Sequence, residues 1–390
     1  MPEQPYRILS LDGGGAWAVL QVMALADMYG PETPGRQLLK QFDMVAATSG
    51  GAIVLMGLVE NRTLGEIERI FSDKRERKKI FQRLPWWRRW LRLGVLLRIF
   101  DLGSRYSSVG KLKGLEALAV NTRDHRLDEL PGIFADLPDL LITSFDYDRS
   151  RAALHRSNPK SAAAPQPPVG RPRLHEAVHA SSAAPVMFFD EPAMVDGLRF
   201  WDGAIGGNNN PALLALVEAL ANGIDRSRIE LLSIGTGSIR VFAVPPVIEP
   251  ATTLGDIKKM ATSVLDDPPD AATFHSHIVV GGRTPTAGEQ VADGKVVRMS
   301  PVLRYTKDES GQLTRIPPGL SQEEFSALQD IDMDAVKPAE FDLVKKFGEL
   351  WLTDEMPNQS IRSNRIFECE IGHVTYSEAR QRWLDLLPKV

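Results

Sequence analysis

The chain has 390 residues, 43% of them hydrophobic, and a formal net charge of −4. That suffices for one large domain with extensions or for two domains, and the charge argues against wholesale nucleic-acid binding. The single cysteine, Cys369, excludes an intramolecular disulfide and cannot build a zinc site alone. The first residues lack a basic stretch followed by an apolar one, so no secretory signal is expected. No run of eighteen apolar residues occurs, so no transmembrane helix is expected, and a cytoplasmic protein that meets a membrane only at its periphery fits best.

In chain order, Arg7–Leu11 reads as a strand that ends in Asp12-Gly13-Gly14-Gly15. Ala16–Tyr29 is apolar and helix-favouring. A second strand, Met44–Ala46, ends in Ala47-Thr48-Ser49-Gly50-Gly51, and Ala52–Val59 continues at helical spacing. Leu140–Phe145, Arg151–His155 and Ile229–Ile234 are further candidate strands. Asn158–Pro172 holds five prolines and reads as a loop, followed by a helix over Leu174–Ser182. Val244-Pro245-Pro246 and Asp266-Asp267-Pro268-Pro269-Asp270 read as turns, and Gln322–Met333 and Ser377–Leu387 as helices. Strands alternating with helices predict an α/β protein with a central, mostly parallel sheet. Both special motifs fall at the carboxyl ends of strands, where such sheets bind ligands.

Ser49 sits where a nucleophile elbow requires small neighbours two residues to either side, and Ala47 and Gly51 meet that demand. The plain alternative is a serine capping the next helix. Gly13, Gly14 and Gly15 can turn their N–H groups toward one point, as an oxyanion hole requires. The same stretch, Gly13 to Ala18, also matches a phosphate-binding fingerprint. That fingerprint needs an acidic residue closing a second strand, whereas Glu32 lies in a turn. A third motif, Phe200-Trp201-Asp202-Gly203-Ala204, precedes Gly206-Gly207-Asn208-Asn209-Asn210-Pro211. Asp202 reads either as a turn aspartate or as the base that Ser49 needs.

Together these stretches resemble the patatin-like phospholipases, serine acyl hydrolases with a Ser–Asp dyad. Asp12–Gly15 resembles the family's oxyanion loop, Thr48–Gly51 its elbow, Ala180–Pro185 its small-residue helix end, Asp202-Gly203 its base motif, and Ile234–Gly237 the strand end that closes its core. The likeness covers residues 7–237. It implies a three-layer α/β/α catalytic domain over 5–240, with 241–390 as a C-terminal extension packing on it. It also implies catalytic Ser49 and Asp202, an oxyanion hole from Gly13, Gly14 and Gly15, a phospholipid or other acyl-lipid substrate, and no cofactor or metal. Two places depart from the family pattern. Trp17 and Ala18 stand where an Arg-Gly pair is common, and Ala47 replaces a glycine.

A Ser-His-Asp triad is the rival arrangement, with His179 its best candidate beside His175 on one helix. His275-Ser276-His277 is strand-spaced and lacks an acidic or cysteine partner for a metal. Lys74–Arg98 carries ten basic residues against Glu76 alone, interleaved with Trp86, Trp87 and Trp90. It fits peripheral contact with an anionic membrane, or equally a solvated helix face. Two other function classes remain open: a nucleotide-binding protein using the Gly13–Ala18 loop, and a catalytically silent protein that binds a membrane or partner.

Overall fold

A computed structural model describes residues 4–84, 105–164, 170–185, 188–243, 270–307, 313–314, 316–334, 337–364 and 367–388. The expected turns at Val244-Pro245-Pro246 and Asp266-Asp267-Pro268-Pro269 lie outside these residues. So does the basic segment from 85 to 98, with Trp86, Trp87 and Trp90.

The strands begin with β1 (Tyr6–Leu11), β2 (Met44–Ala47), β3 (Asp139–Asp146), β4 (Arg151–Arg156), β5 (Ala193–Val195), β6 (Leu198–Asp202) and β7 (Ile229–Ile234). Five of the candidate strands are thus observed, within a residue or two at their ends. Beyond them lie β8 (Ser238–Ala243), β9 (Gln290–Val291) and β10 (Val296–Met299). The main sheet has eight described strands, and β10, β7, β1, β2 and β3 run parallel to their neighbours in that order. β4 and β6 join β3 antiparallel, and β5 pairs with β6.

Parallel strands covered on both faces read as unbroken apolar runs, and β7 is buried at all six positions. Side chains alternate across the sheet. Leu9, Leu11, Val45 and Ala47 enter one core with the helices Val19–Tyr29 and Ser49–Val59. Ile8, Met44 and Ala46 enter the other with the helix Ala212–Ala221. This is the expected three-layer α/β/α arrangement.

The core crosses the expected boundary near residue 240. β10 supplies an edge of the main sheet, and Trp351 and Trp383 are fully buried in the same core as Leu9 and Leu11. The expected helix Gln322–Met333 is shorter, ending at Gln329. Its last residues are drawn onto the glycine loop instead. Ala16 N–H donates to the Met333 carbonyl at 2.7 Å, and Arg105 pairs with Asp332 at 2.5 Å.

A buried ion pair ties β10 to the end of β1. Arg298 reaches Asp12 at 2.6 Å with both side chains 3% exposed, and it also donates to Ser233 Oγ at 2.8 Å. Burial raises the Asp12 carboxyl above its usual range and the guanidinium pulls it back. Removing one partner of such a pair strands the other charge in the core, typically at about 3–5 kcal/mol. Arg298→Met is therefore expected to lower unfolding stability by about that amount, read as a fall in the urea midpoint at unchanged slope.

Candidate active site

A strand has two edges, and the pairing of β3 assigns them. Leu141 and Ile142 pair with both β2 and β4, so those two strands lie on opposite edges. Residues 144–146 pair with both β4 and β6, so β6 shares the edge of β2. One strand is parallel to β3 and the other antiparallel, so they run head-on. β2 stops with Ala47 opposite Ile142, and β6 stops with Asp202 opposite Ser144. Only Thr143 separates the two stops.

Ser49 follows directly, at the start of the helix Ser49–Val59, with φ +50°. The left-handed region costs a non-glycine residue about 1–2 kcal/mol and is the conformation of a strained elbow. Ser49 Oγ donates to Asp202 Oδ2 at 2.7 Å, and Ala204 N–H donates to Asp202 Oδ1 at 2.9 Å. Both side chains are nearly dry, at 8% and 4% exposure. Burial raises the Asp202 carboxyl above its ordinary range. The hydrogen bonds from Ala204 and Ser49 and the charge of Lys111 oppose that rise.

The surrounding polar groups fix this geometry. Thr48 Oγ1 donates to the Asn208 carbonyl at 2.7 Å and so accepts from the Thr143 hydroxyl at 2.7 Å. Asn210 Oδ1 accepts from Ser10 Oγ at 3.1 Å and from Ala212 N–H at 3.0 Å. The asparagine run thus braces the ends of β1 and β2.

The expectation for the glycine loop narrows. Gly13 N–H donates to the Asn209 carbonyl at 2.9 Å, so it is already engaged. Gly14 and Gly15 N–H have no protein acceptor among the described residues. The Gly15 nitrogen abuts Gly50: a Cβ at position 50 would lie 2.8 Å from it. Of the loop amides a phosphate could use, those of Gly13 and Ala16 are taken by Asn209 and Met333.

The histidines lie elsewhere. No imidazole intervenes between Ser49 and Asp202, whose oxygens touch. His179 Nε2 meets Ser108 Oγ at 3.2 Å, and burial with the nearby Lys111 charge pushes the ring down to about 3. His155 is bonded to Ser144 and burial pushes it down to about 4. His275 and His277 are on a helix, not a strand, and His277 Nε2 meets the Arg283 carbonyl at 2.9 Å. Among the described residues, no group of three or more His, Cys, Asp or Glu could hold a metal.

A narrow cleft with about 30 Å³ of open space borders Ser49. Its wall is mostly apolar, with Ile53, Phe81, Phe188 and Met333. Lys111 is its one cation among the described residues.

The sequence model described as "Patatin-like phospholipase" matches residues 9–216. The chain belongs to the patatin-like phospholipase family. A "cGAMP-activated phospholipase" of Escherichia coli (strain TW11681) is 25% identical over 248 residues, which is 59% of this chain and 62% of that protein. The match thus spans less than two thirds of that relative. The crystal structure of VipD from Legionella pneumophila aligns over 99% of this chain and 74% of its own at 12% identity, with a TM-score of 0.36.

Both departures from the family pattern have visible consequences. Trp17, where arginine is common, stacks edge-on against Phe347 at 6.0 Å and reaches toward the Asp332 carbonyl. It is a docking residue for the chain's last third. Ala47 packs with its methyl fully buried, so that side of the elbow has room. The other side has none: a Cβ on Gly51 would lie 2.5 Å from the Leu11 carbonyl oxygen and 2.7 Å from that of Asp12.

Reasoning from sequence missed Thr143 and Lys111, and it singled out the stretch with Ser181 without its contact to Ser49. Lys111 left a signal, since it shares a helical face with Leu115 and Leu118, both buried. The steric asymmetry of the elbow gives a direct check. Gly51→Ala is expected to destabilise the fold by about 1–3 kcal/mol in urea, whereas Ala47→Gly loses only a methyl and costs about 1 kcal/mol.

Proposed function

We propose that the chain hydrolyses acyl ester bonds of lipids, with phospholipids the leading substrate class. The observation that carries this reading is the 2.7 Å hydrogen bond from Ser49 Oγ to a buried carboxylate with no histidine between. Family membership and the apolar wall beside Ser49 support it.

In this reading Ser49 Oγ attacks the ester carbonyl. Its proton crosses to Asp202 Oδ2 along the existing hydrogen bond. Burial raises the basicity of that carboxylate toward the working pH, which suits a general base. The N–H groups of Gly14 and Gly15 hold the oxyanion, in a site whose dryness strengthens both contacts. Asp202 returns the proton to the leaving alcohol. Water activated by the same carboxylate then releases the fatty acid from Ser49. The catalytic unit is residues 5–240, completed by β10.

Membrane contact through Lys74–Arg98 would draw on the part of that segment that is turned outward. Arg77 is not among those residues: it is buried, donating to the carbonyls of Phe71 and Ser72 with its guanidinium over the Phe341 ring. Among the described residues no helix is long and apolar enough to cross a membrane.

Ser49→Ala and Asp202→Asn should each lower fatty-acid release from phospholipid vesicles by about a thousandfold or more. A fluorophosphonate adduct should map to Ser49 by mass spectrometry. An adduct on another serine, or full activity in Asp202→Asn, would remove the assignment.

A further inference from the structure

At the end of the helix Leu174–Ser181, three consecutive residues, Ser181 to Ala183, each bond one residue of the site. Ser49 N–H donates to Ser181 Oγ at 2.8 Å. The Lys111 ammonium donates to the Ser182 carbonyl. Asp202 N–H donates to the Ala183 carbonyl at 3.0 Å. The backbones of Ser49 and Asp202 and the Lys111 ammonium are thus registered on one short stretch of chain.

Lys111 is an unusual residue to find there. It is 1% exposed, its nitrogen lies 4.3 Å from the centre of the Phe189 ring, and it borders the same cleft as Ser49. Among the described residues it has no carboxylate within 4.0 Å. Burying an ammonium without an ion pair costs several kcal/mol, so packing does not explain it. The other charged or titratable groups around it are occupied. Asp334 is bonded to the Tyr106 hydroxyl, Asp190 accepts from Ser108 N–H at 2.8 Å, and His179 is neutral beside Ser108. The anion whose charge acts on Lys111 is Asp202, and the effect is mutual.

We infer that Lys111 is a positioning residue for Ser49 and Asp202: a buried countercharge that keeps Asp202 ionised and balances the site through the reaction. This deepens the hydrolase reading and rests on it. The charge balance is explicit. Before attack the site holds the Asp202 carboxylate and the Lys111 ammonium. On attack the Ser49 Oγ–carbon bond forms, the carbonyl π pair moves onto oxygen, and the Ser49 proton passes to Asp202. The negative charge has moved from carboxylate to oxyanion, and Lys111 remains cationic beside it. No net charge appears in a dry site, where it would be costly.

The pH consequence follows from sign. The Lys111 charge lowers the Asp202 pKa, so removing it raises that pKa and leaves Asp202 protonated to higher pH. Burial pushes Lys111 itself down to about 7, and Asp202 holds it up against that.

The test uses Lys111→Met, which removes charge and donor, and Lys111→Gln, which keeps a donor for the Ser182 carbonyl and so preserves the fold's anchor. Each is assayed on phosphatidylglycerol vesicles and on an uncharged p-nitrophenyl ester across the acid and neutral range. The expected result is an acid limb of kcat/KM moved up by about one unit, with kcat on that limb about tenfold lower on both substrates and KM unchanged. An unmoved limb in an active variant would reduce Lys111 to a structural cap and overturn the proposal. So would a rise in KM confined to the phospholipid, which would make the lysine an anchor for the substrate's phosphate. A wild-type chain that neither labels at Ser49 nor hydrolyses either substrate would overturn the hydrolase reading, and this proposal with it.

Discussion

A strand can be paired along one edge by two partners only if each stops where the other begins. On β3 that happens at Thr143, with β2 arriving from one end and β6 from the other. The distance between Ser49 and Asp202 is therefore fixed by the strand register, not by loop conformation. A slip of one residue in either strand would turn its terminal side chain to the opposite face. The site needs β6 antiparallel and β2 parallel to the same neighbour, so the mixed character of the sheet at this point is a requirement of the geometry. Thr143 fills the gap with a hydroxyl that bonds Thr48, and a Cβ on Gly203 would collide with it at 2.1 Å. Small residues crowd this junction because three backbones meet there.

The glycine loop depends on contacts from much later in the chain. Asp12 starts the loop and is paired with Arg298 of β10, while Thr236 Oγ1 donates to the Gly13 carbonyl at 2.6 Å. Asn209 takes the Gly13 amide. Gln21 Nε2 adds bonds to the carbonyls of Asp12 at 2.9 Å and Ile234 at 3.0 Å. Groups from four separate segments thus hold a loop that would be floppy by composition. Such satisfaction leaves the remaining amides of Gly14 and Gly15 preorganised, which is the condition under which backbone donors stabilise developing charge without reorganising.

The parts legible in the sequence were those written in local chemistry. An apolar run followed by glycines, or by a serine among small residues, states both a strand end and a turn, and β1, β2 and β7 sit where those runs are. Asp202 could be singled out because its own flanking sequence makes a tight turn. The parts that were not legible are set by partners far away. Nothing near Gln322–Met333 announces that its last turn will be taken by Ala16, Trp17 and Arg105. Nothing near Gly13 says that its amide will meet Asn209. β10 is short, and its place beside β7 follows from topology. The basic segment illustrates the same limit, since Arg77 reads as a surface charge and is in fact a buried cap on the preceding helix.

The cleft beside Ser49 is narrow, with about 30 Å³ of open space. The parts of the wall differ in how firmly they are held. Ile53 belongs to the buried helix behind the elbow and to the main core. Phe81, Tyr106 and Phe189 form an aromatic cluster with centroids 5.4 to 6.4 Å apart. Met333 and Asp334 are held mainly by polar contacts: one backbone hydrogen bond from Ala16, the Tyr106 hydroxyl, and the pairing of Arg105 with Asp332. The Arg105–Asp332 pair is part-exposed and exchanges readily for water, whereas the Tyr106–Asp334 bond is buried. The Met333 segment thus covers the glycine loop, whose Gly14 and Gly15 amides have no protein acceptor among the described residues.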